Sequence, residues 1–233
     1  MRERVAKESI SLVRSSPDRQ KSLLRMNTVL LVSLIVIIFL FPVIPVQDYL
    51  LRRILLSLIV ASGLFAAEFS RSSFRILFSV AVLVIAVTFL GMFFNQSESL
   101  DYISFFLNTI FFILITVALI NHVARAKDVF TSTLLCAVNS YLLIGLTLSI
   151  LFIILDTFAP NSFNNVSQEA NEFSTFIYYS FVTLTTLGYG DITPATPLAR
   201  SLSSFTALFG QLYLVTIMAF LIGKYLNAKN QES

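Results

Sequence analysis

The chain has little charge for its length. Of 233 residues only 12% are Asp, Glu, Lys or Arg, whereas 56% are hydrophobic. A soluble domain carries about a quarter charged residues, so this composition excludes an ordinary soluble fold and predicts an integral membrane protein. The single cysteine, Cys136, excludes an intrachain disulfide and is expected to pack as a small apolar group in a helix.

The long apolar runs do not alternate polar and apolar residues with a period of two, which argues against a membrane β-barrel. Six runs follow a basic segment at residues 1–26, and each is near or above the ~20 residues that a helix needs to cross ~30 Å of hydrocarbon. They lie at roughly 27–46, 50–67, 75–94, 102–121, 131–155 and 197–224. We therefore predict an all-α membrane protein with six transmembrane helices, of which the second is the shortest.

Basic residues are unevenly distributed among the segments between these runs. Most of the 16 Lys and Arg residues fall on the side that holds the N-terminus, whereas loops on the other side carry acids such as Glu98, Glu169 and Asp191. Because positively charged segments stay in the cytoplasm, we expect a multi-pass protein of the plasma (cell inner) membrane with both termini cytoplasmic.

The fourth run has no arginine or lysine between Asp101 and His122. A voltage sensor needs charges inside the membrane field, each worth about 2.3 kcal/mol per 100 mV. This run therefore lacks charges that would respond to the membrane potential. Arg52 and Arg53, near the outer end of the second run, are expected to extend toward lipid headgroups.

A shorter apolar segment, residues 174–186, lies between the last two runs and overlaps a glycine-containing motif. Thirteen residues are too few to span a bilayer, so a re-entrant helix is expected, with protein or water covering its non-helical end. The motif at residues 183–191, here called the glycine motif, reads Thr-Leu-Thr-Thr-Leu-Gly-Tyr-Gly-Asp. Gly188 and Gly190 accept left-handed backbone angles, which lets successive carbonyl oxygens face one line, and four copies of such a line inside a membrane would form a dry ion path.

The glycine motif, continued by Ile-Thr-Pro at 192–194, resembles the pore loop of tetrameric potassium channels of the voltage-gated and related bacterial classes. The resemblance implies a homotetramer with K⁺ as the permeant ion and a re-entrant pore helix between helices five and six. It implies coordination by main-chain carbonyls and the Thr186 hydroxyl within the filter residues Thr186, Leu187, Gly188, Tyr189 and Gly190. It further implies supporting roles for Thr183, Thr185, Tyr178, Tyr179 and Asp191.

Three positions near the motif carry more specific expectations. Leu187 stands where the family usually has valine or isoleucine, and we expect it to alter packing or filter stability but not selectivity. Tyr178 is expected to donate its hydroxyl to Asp191, and Tyr179 to pack near Tyr189. The alternative is that both tyrosines are interfacial aromatics of the kind that membrane boundaries favour.

Gly210, twenty residues after Gly190, is either a hinge of the last helix or a residue that permits close helix packing. If Gly210 faces the pore, a stripe with four-residue spacing lines the inner cavity and includes a narrow apolar gate. The stripe consists of Leu214, Met218 and Ile222. Its alternative environment is lipid or a neighbouring helix.

These features predict four regions. They are a basic cytoplasmic arm at 1–26, a four-helix domain in the place of a voltage sensor at 27–126, a pore domain at 127–226 and a short tail at 227–233. The arm is expected to lie on anionic lipid or to be a disordered tail. No soluble ligand-binding domain is evident, and nucleic acid is not an expected partner.

The sequence thus predicts a potassium-selective channel with weak or no voltage dependence. Two alternatives are a nonselective cation channel and a non-conducting membrane subunit that partners another channel. An enzyme is not expected, because the apolar runs contain no cluster of ionisable residues or metal ligands.

Overall fold

The computed structural model describes residues 17–43, 49–66, 71–93, 98–126, 131–166 and 172–232. Most of the predicted basic arm at 1–26 therefore lies outside the described residues. So do residues 127–130 at the start of the predicted pore domain, and the last residue of the predicted tail.

The described chain is almost entirely helical. Its α-helices are α1 (Pro17–Ile35), α2 (Tyr49–Ala66), α3 (Arg71–Phe93), α4 (Glu98–Arg125), α5 (Thr131–Phe158), α6 (Glu172–Leu184) and α7 (Pro197–Glu232). A π-helical turn at Val36–Leu40 and a 3₁₀ turn at Phe41–Val43 extend α1, where Pro42 lacks the amide that a regular helix requires. Two short strands, β1 (Phe163–Asn164) and β2 (Thr193–Pro194), pair antiparallel with Phe163 opposite Pro194.

The six long helices coincide with the six predicted apolar runs. Four contain segments that are long and apolar enough to cross a membrane, namely Lys21–Leu40, Ile103–Arg125, Thr131–Phe158 and Pro197–Lys224. α3 contributes a shorter apolar segment, Phe74–Leu90. These spans indicate a multi-pass membrane protein, whereas membrane crossing by α2 and α3 stays a prediction.

α5 is the most buried of the four spanning helices, with 67% of its spanning window inside the structure. It packs against α1, α4, α6 and α7. Gly145 lets α6 approach closely, because a Cβ at this position would overlap the Phe181 ring. The Ser180 hydroxyl donates to the Gly145 carbonyl at 2.7 Å, so both contacts fix the short helix α6 against α5.

A buried polar cluster joins α1 and the end of α2 to α5. The Asn27 side chain donates to the Ala66 carbonyl at 2.7 Å, and Asn139 of α5 donates to the Asn27 carbonyl at 2.9 Å. Cys136 is fully buried and its thiol lies 3.3 Å from Asn27 Oδ1, as expected for a cysteine inside a helix bundle. These hydrogen bonds satisfy the side-chain NH2 groups of Asn27 and Asn139, which would be costly to leave unpaired in an apolar interior.

The two arginines of α2 are placed differently from the expectation that they reach the headgroups. Arg53 is only 3% exposed, and the Arg52 guanidinium lies 5.0 Å from the Phe105 ring centre of α4 and 5.9 Å from that of Phe173 in α6. Aromatic faces attract a guanidinium. The expectation was wrong for Arg53, because the sequence does not show that other helices cover this end of α2, and the rings beside Arg52 were likewise not evident from the sequence.

The end of α7 contacts the end of α4. Lys224 Nζ donates to the carbonyl oxygens of Val123 and Ala124 at 3.3 and 3.2 Å, and also to that of Ala126. The last carbonyls of a helix have no partner within it and carry partial negative charge, so a lysine there stabilises the terminus. The four-helix domain and the last helix are therefore joined directly.

Candidate functional site

The glycine motif begins in the last turn of α6 and continues as non-helical backbone. The amide of Thr186 donates to the Thr183 carbonyl at 2.9 Å, and the amides of Leu187 and Gly188 both donate to the Val182 carbonyl, at 3.0 and 3.2 Å. The Thr185 hydroxyl donates to the Phe181 carbonyl at 2.7 Å. The chain thus leaves α6 through a turn held by the helix's own last carbonyls.

Left-handed backbone angles alternate along the motif. The φ values are +59° at Thr186, +54° at Gly188 and +79° at Gly190. The sequence predicted such angles at the two glycines but not at Thr186, where a side chain makes them sterically costly. The Thr186 hydroxyl compensates in part by donating to the Thr185 carbonyl at 2.6 Å.

The motif is exposed on the single chain, in contrast to the buried face of α6. Every residue from Thr185 to Asp191 is exposed, with Leu187 at 55% and Tyr189 at 68%. An added Cβ at Gly188 or Gly190 would meet nothing within 4 Å. One chain therefore supplies only one side of whatever surrounds this backbone.

The outer end of the motif is fixed by Asp191. Tyr178 donates its hydroxyl to the Asp191 carboxylate at 2.5 Å, which is the contact expected from the sequence. The Ile192 amide donates to the same carboxylate at 3.0 Å, and the Asn165 side chain donates to the Asp191 carbonyl at 3.0 Å. The hydrogen bond raises the pKa of Tyr178 to about 12 and lowers the pKa of Asp191 below its ordinary value.

Tyr179 is placed differently from the expectation that it packs near Tyr189. Its ring is buried edge-on between Phe152 and Phe163, with ring centres 4.9 and 5.2 Å away. Its hydroxyl pairs with the Ser203 hydroxyl of α7 at 2.6 Å. Within one chain Tyr179 therefore joins α6 to α5, β1 and α7, and these partners were not evident from the sequence.

At the start of α6, Glu172 lies close to Arg52 and Asp156. Burial raises the pKa of Glu172, and the Asp156 charge adds to the rise while that of Arg52 opposes it. An acid in the first turn complements the positive end of the helix. The two ends of α6 are thus fixed by different groups, Arg52 at one end and α7 at the other.

Gly210 is buried against the last residue of α6. A Cβ at Gly210 would overlap the Leu184 carbonyl oxygen and lie 2.9 Å from Leu184 Cδ1. α7 runs unbroken from Pro197 to Glu232 through this point. Of the two interpretations of Gly210, the contact favours close packing. The condition that Gly210 itself faces an open cavity is not met, because Gly210 faces α6.

The stripe predicted below Gly210 is nevertheless exposed on the single chain. Leu214, Met218 and Ile222 all lie on the exposed surface of α7, whereas Tyr213 is buried against α5. The Tyr213 hydroxyl donates to the Ala137 carbonyl at 2.7 Å and so fixes the rotation of α7. The stripe is available to line a cavity or to meet lipid, and its role as a gate stays a prediction.

Sequence reasoning missed Gln211. Its side-chain amide donates from Nε2 to the Thr186 hydroxyl at 3.0 Å and thereby joins α7 to the inner end of the motif. The sequence did contain a signal for this role, because Gln211 is an amide side chain in a largely apolar stretch and directly follows Gly210.

A family model described as an ion channel matches residues 140–227. The matched residues hold most of α5, all of α6 and the glycine motif, and most of α7. No curated protein and no solved structure matches the chain. The match supports ion channel activity, a channel rather than an enzyme, for the part of the chain that carries the candidate site.

Replacing Gly210 with alanine is expected to destabilise the protein by about 1–3 kcal/mol, because the new methyl group overlaps the Leu184 carbonyl. The matched control is Gly223→Ala in the same helix, where an added Cβ meets nothing within 4 Å. That control should gain up to about 1 kcal/mol from helix propensity. Thermal unfolding of the purified variants measures both, and equal effects would contradict the packing role of Gly210.

Tyr178→Phe is expected to lower the thermal midpoint at neutral pH and to lose this effect in acid. The pKa of Asp191 is depressed in the folded protein, so the contact stabilises above the ordinary Asp pKa and is lost as pH falls through the depressed one. Midpoints of both proteins from about pH 7 to about pH 2 test this. A difference that persists unchanged into acid would show that the hydroxyl acts other than through the Asp191 carboxylate.

Proposed function

We propose that the chain forms a potassium-selective channel in which four copies arrange residues 186–190 around one axis. The observation that carries the proposal is the alternation of left-handed angles at Thr186, Gly188 and Gly190. Such alternation turns successive peptide units so that their carbonyl oxygens can share one side. A row of neutral carbonyl dipoles replaces the hydration shell of K⁺. Unlike a ring of carboxylates, it does not trap the ion.

The exposure of the motif on one chain supports assembly from further copies. Leu187 and Tyr189 are both more than half exposed on one chain, although non-helical backbone at membrane depth must be buried in protein or line water. α7 likewise has exposed apolar side chains on one chain, among them Leu214, Met218 and Val215. Four copies around an axis cover both surfaces and supply the four walls of a filter.

The charges around the proposed filter favour a cation without binding it tightly. Asp191 stands at the outer end and its carboxylate is engaged by the Tyr178 hydroxyl. At the inner end, α6 directs its C-terminus, the partially negative end of a helix, toward the turn at Thr185. Both features attract a cation from either side, while the coordinating groups themselves stay neutral.

The proposed path below the filter is apolar. Leu214, Met218 and Ile222 would line the inner cavity, and four copies of Met218 or Ile222 would close it by dewetting. In this proposal residues 127–226 form the pore domain and residues 27–126 form a peripheral domain. The protein lies in the cell's inner membrane with both termini in the cytoplasm.

The peripheral domain contains neutral hydrogen bonds where a voltage sensor would need charges. Thr88 of α3 and Ser104 of α4 pair their hydroxyls at 2.9 Å, and the Asn108 side chain donates to the Ser104 carbonyl at 2.8 Å. These groups hold α3 and α4 together but carry no net charge across the field. The alternatives, a nonselective cation channel and a non-conducting subunit, are separated by measuring flux.

Purified protein in liposomes should pass K⁺ in clear preference to Na⁺, and Gly188→Ala should reduce K⁺ flux by at least about tenfold. Alanine at a left-handed φ costs about 1–2 kcal/mol in each of four copies, and no contact within the single chain adds to this cost. Gly223→Ala makes the same chemical change at an ordinary helical position and should retain flux. Equal K⁺ and Na⁺ permeability would favour the nonselective channel. If the parent protein shows no flux, the non-conducting subunit is favoured.

Open probability should depend only weakly on voltage. Moving one charge across 100 mV changes the free energy by about 2.3 kcal/mol. α4 has no Lys or Arg between Asp101 and His122 that could carry such a charge. Currents from planar bilayers, recorded over a range of potentials in symmetrical KCl, measure this dependence. A voltage dependence of open probability that corresponds to several charges per channel crossing the field would contradict the role given to α4.

A further inference from the structure

We propose that Gln211 is a positioning residue that orients the Thr186 hydroxyl and thereby sets the cation affinity of the innermost filter site. The inference rests on the proposed channel function and deepens it. The contact that carries it is the hydrogen bond of 3.0 Å from Gln211 Nε2 to Thr186 Oγ1.

The orientation follows from the hydrogen-bonding capacity of a hydroxyl group. Thr186 Oγ1 has one proton and two lone pairs. The proton is donated to the Thr185 carbonyl at 2.6 Å, and one lone pair accepts from Gln211. With two of its three positions fixed, the hydroxyl has one lone pair left, and the direction of that lone pair is defined.

Thr186 also needs an external anchor more than its neighbours do. It combines a β-branched side chain with a φ of +59°, a combination that is disfavoured in an isolated chain. The bond to Thr185 is local and moves with the loop, whereas Gln211 belongs to another element. A contact from α7 therefore restrains the side chain relative to the rest of the pore domain.

Packed neighbouring residues hold Gln211 in place. Gly210, the preceding residue, docks its backbone directly against Leu184, and Tyr213 fixes the rotation of α7 through the Ala137 carbonyl. Gln211 is thus held between two packed residues, with its amide at the level of the motif's inner end. Functional groups held by such supports bind more tightly, because less freedom is lost when the ion arrives.

An amide suits this role because it is a neutral donor. A lysine at the same position would add positive charge beside a cation site, and an ionised glutamate would accept rather than donate. Gln211 can orient the hydroxyl without altering the net charge of the path. We therefore expect its loss to weaken cation binding at the inner end while the outer end stays unchanged.

The test compares Gln211→Met with Leu212→Met, which introduces the same side chain at the adjacent exposed position of α7. The probe is Ba²⁺, an ion close to K⁺ in size with twice the charge, applied to the inner or outer face of liposome-reconstituted channels. Gln211→Met should raise the half-blocking Ba²⁺ concentration about tenfold or more from the inner face, which corresponds to at least about 1.4 kcal/mol. Block from the outer face and block of Leu212→Met should match the parent protein.

A double-mutant cycle separates positioning from a general effect on structure. In a Thr186→Ala background the hydroxyl is absent, so adding Gln211→Met should change Ba²⁺ block no further. A tenfold effect that persists in that background would overturn the proposal, as would unchanged inner block in Gln211→Met. A parent protein without K⁺-selective flux would instead overturn the channel function itself, and the inference with it.

A measurement that does not need flux covers variants that conduct poorly. K⁺ that binds the folded protein raises its thermal midpoint in a concentration-dependent way. The half-stabilising K⁺ concentration should increase in Gln211→Met and in Gln211→Asn, whose side chain is one methylene shorter. An unchanged K⁺ dependence in both variants, with the parent protein stabilised by K⁺, would overturn the role of Gln211.

Discussion

The constraint on which the whole arrangement depends is that backbone outside a helix cannot be left against lipid. Residues 185–192 form a non-helical stretch that the proposed function places in the membrane, and contacts within the chain hold it at both ends. Ser180 and the space at Gly145 fix α6 on α5, Tyr178 holds the outer end through Asp191, and α7 docks at Leu184. What one chain cannot cover is the exposed side with Leu187 and Tyr189, and this makes assembly with further copies part of the proposed function.

Local rules predicted much of the fold. Hydrophobic runs of sufficient length predicted six long helices, and the alternating glycines predicted the left-handed angles at Gly188 and Gly190. Both predictions depend on properties of a residue or a short segment, such as the absence of a Cβ or the length of an apolar run. They do not require knowledge of which helices become neighbours.

The features that the sequence did not predict depend on contacts between distant segments. The Thr186 hydroxyl accepts a hydrogen bond from Gln211, 25 residues later, and the Tyr179 hydroxyl pairs with that of Ser203, 24 residues later. Arg53 is buried because other helices cover the end of α2, although an arginine near a membrane boundary ordinarily extends toward the headgroups. Gly210 allowed two interpretations until its neighbour was known, because a hinge and a close contact both require the smallest side chain.

In the proposed channel α4 has no Lys or Arg between Asp101 and His122, yet α2 and α4 contact α6 and α7. Arg52 lies over Phe173 at the start of α6, and Lys224 near the end of α7 donates to the last carbonyls of α4. Asn27 and Asn139 add a third, buried connection between α1 and α5. Any tilt of α7 near Ile222 must therefore either break the Lys224 contacts or carry the end of α4 with it. If the proposed channel is correct, helices connected in this way can influence the inner end of its path through packing and hydrogen bonds, with no charge moving through the membrane field.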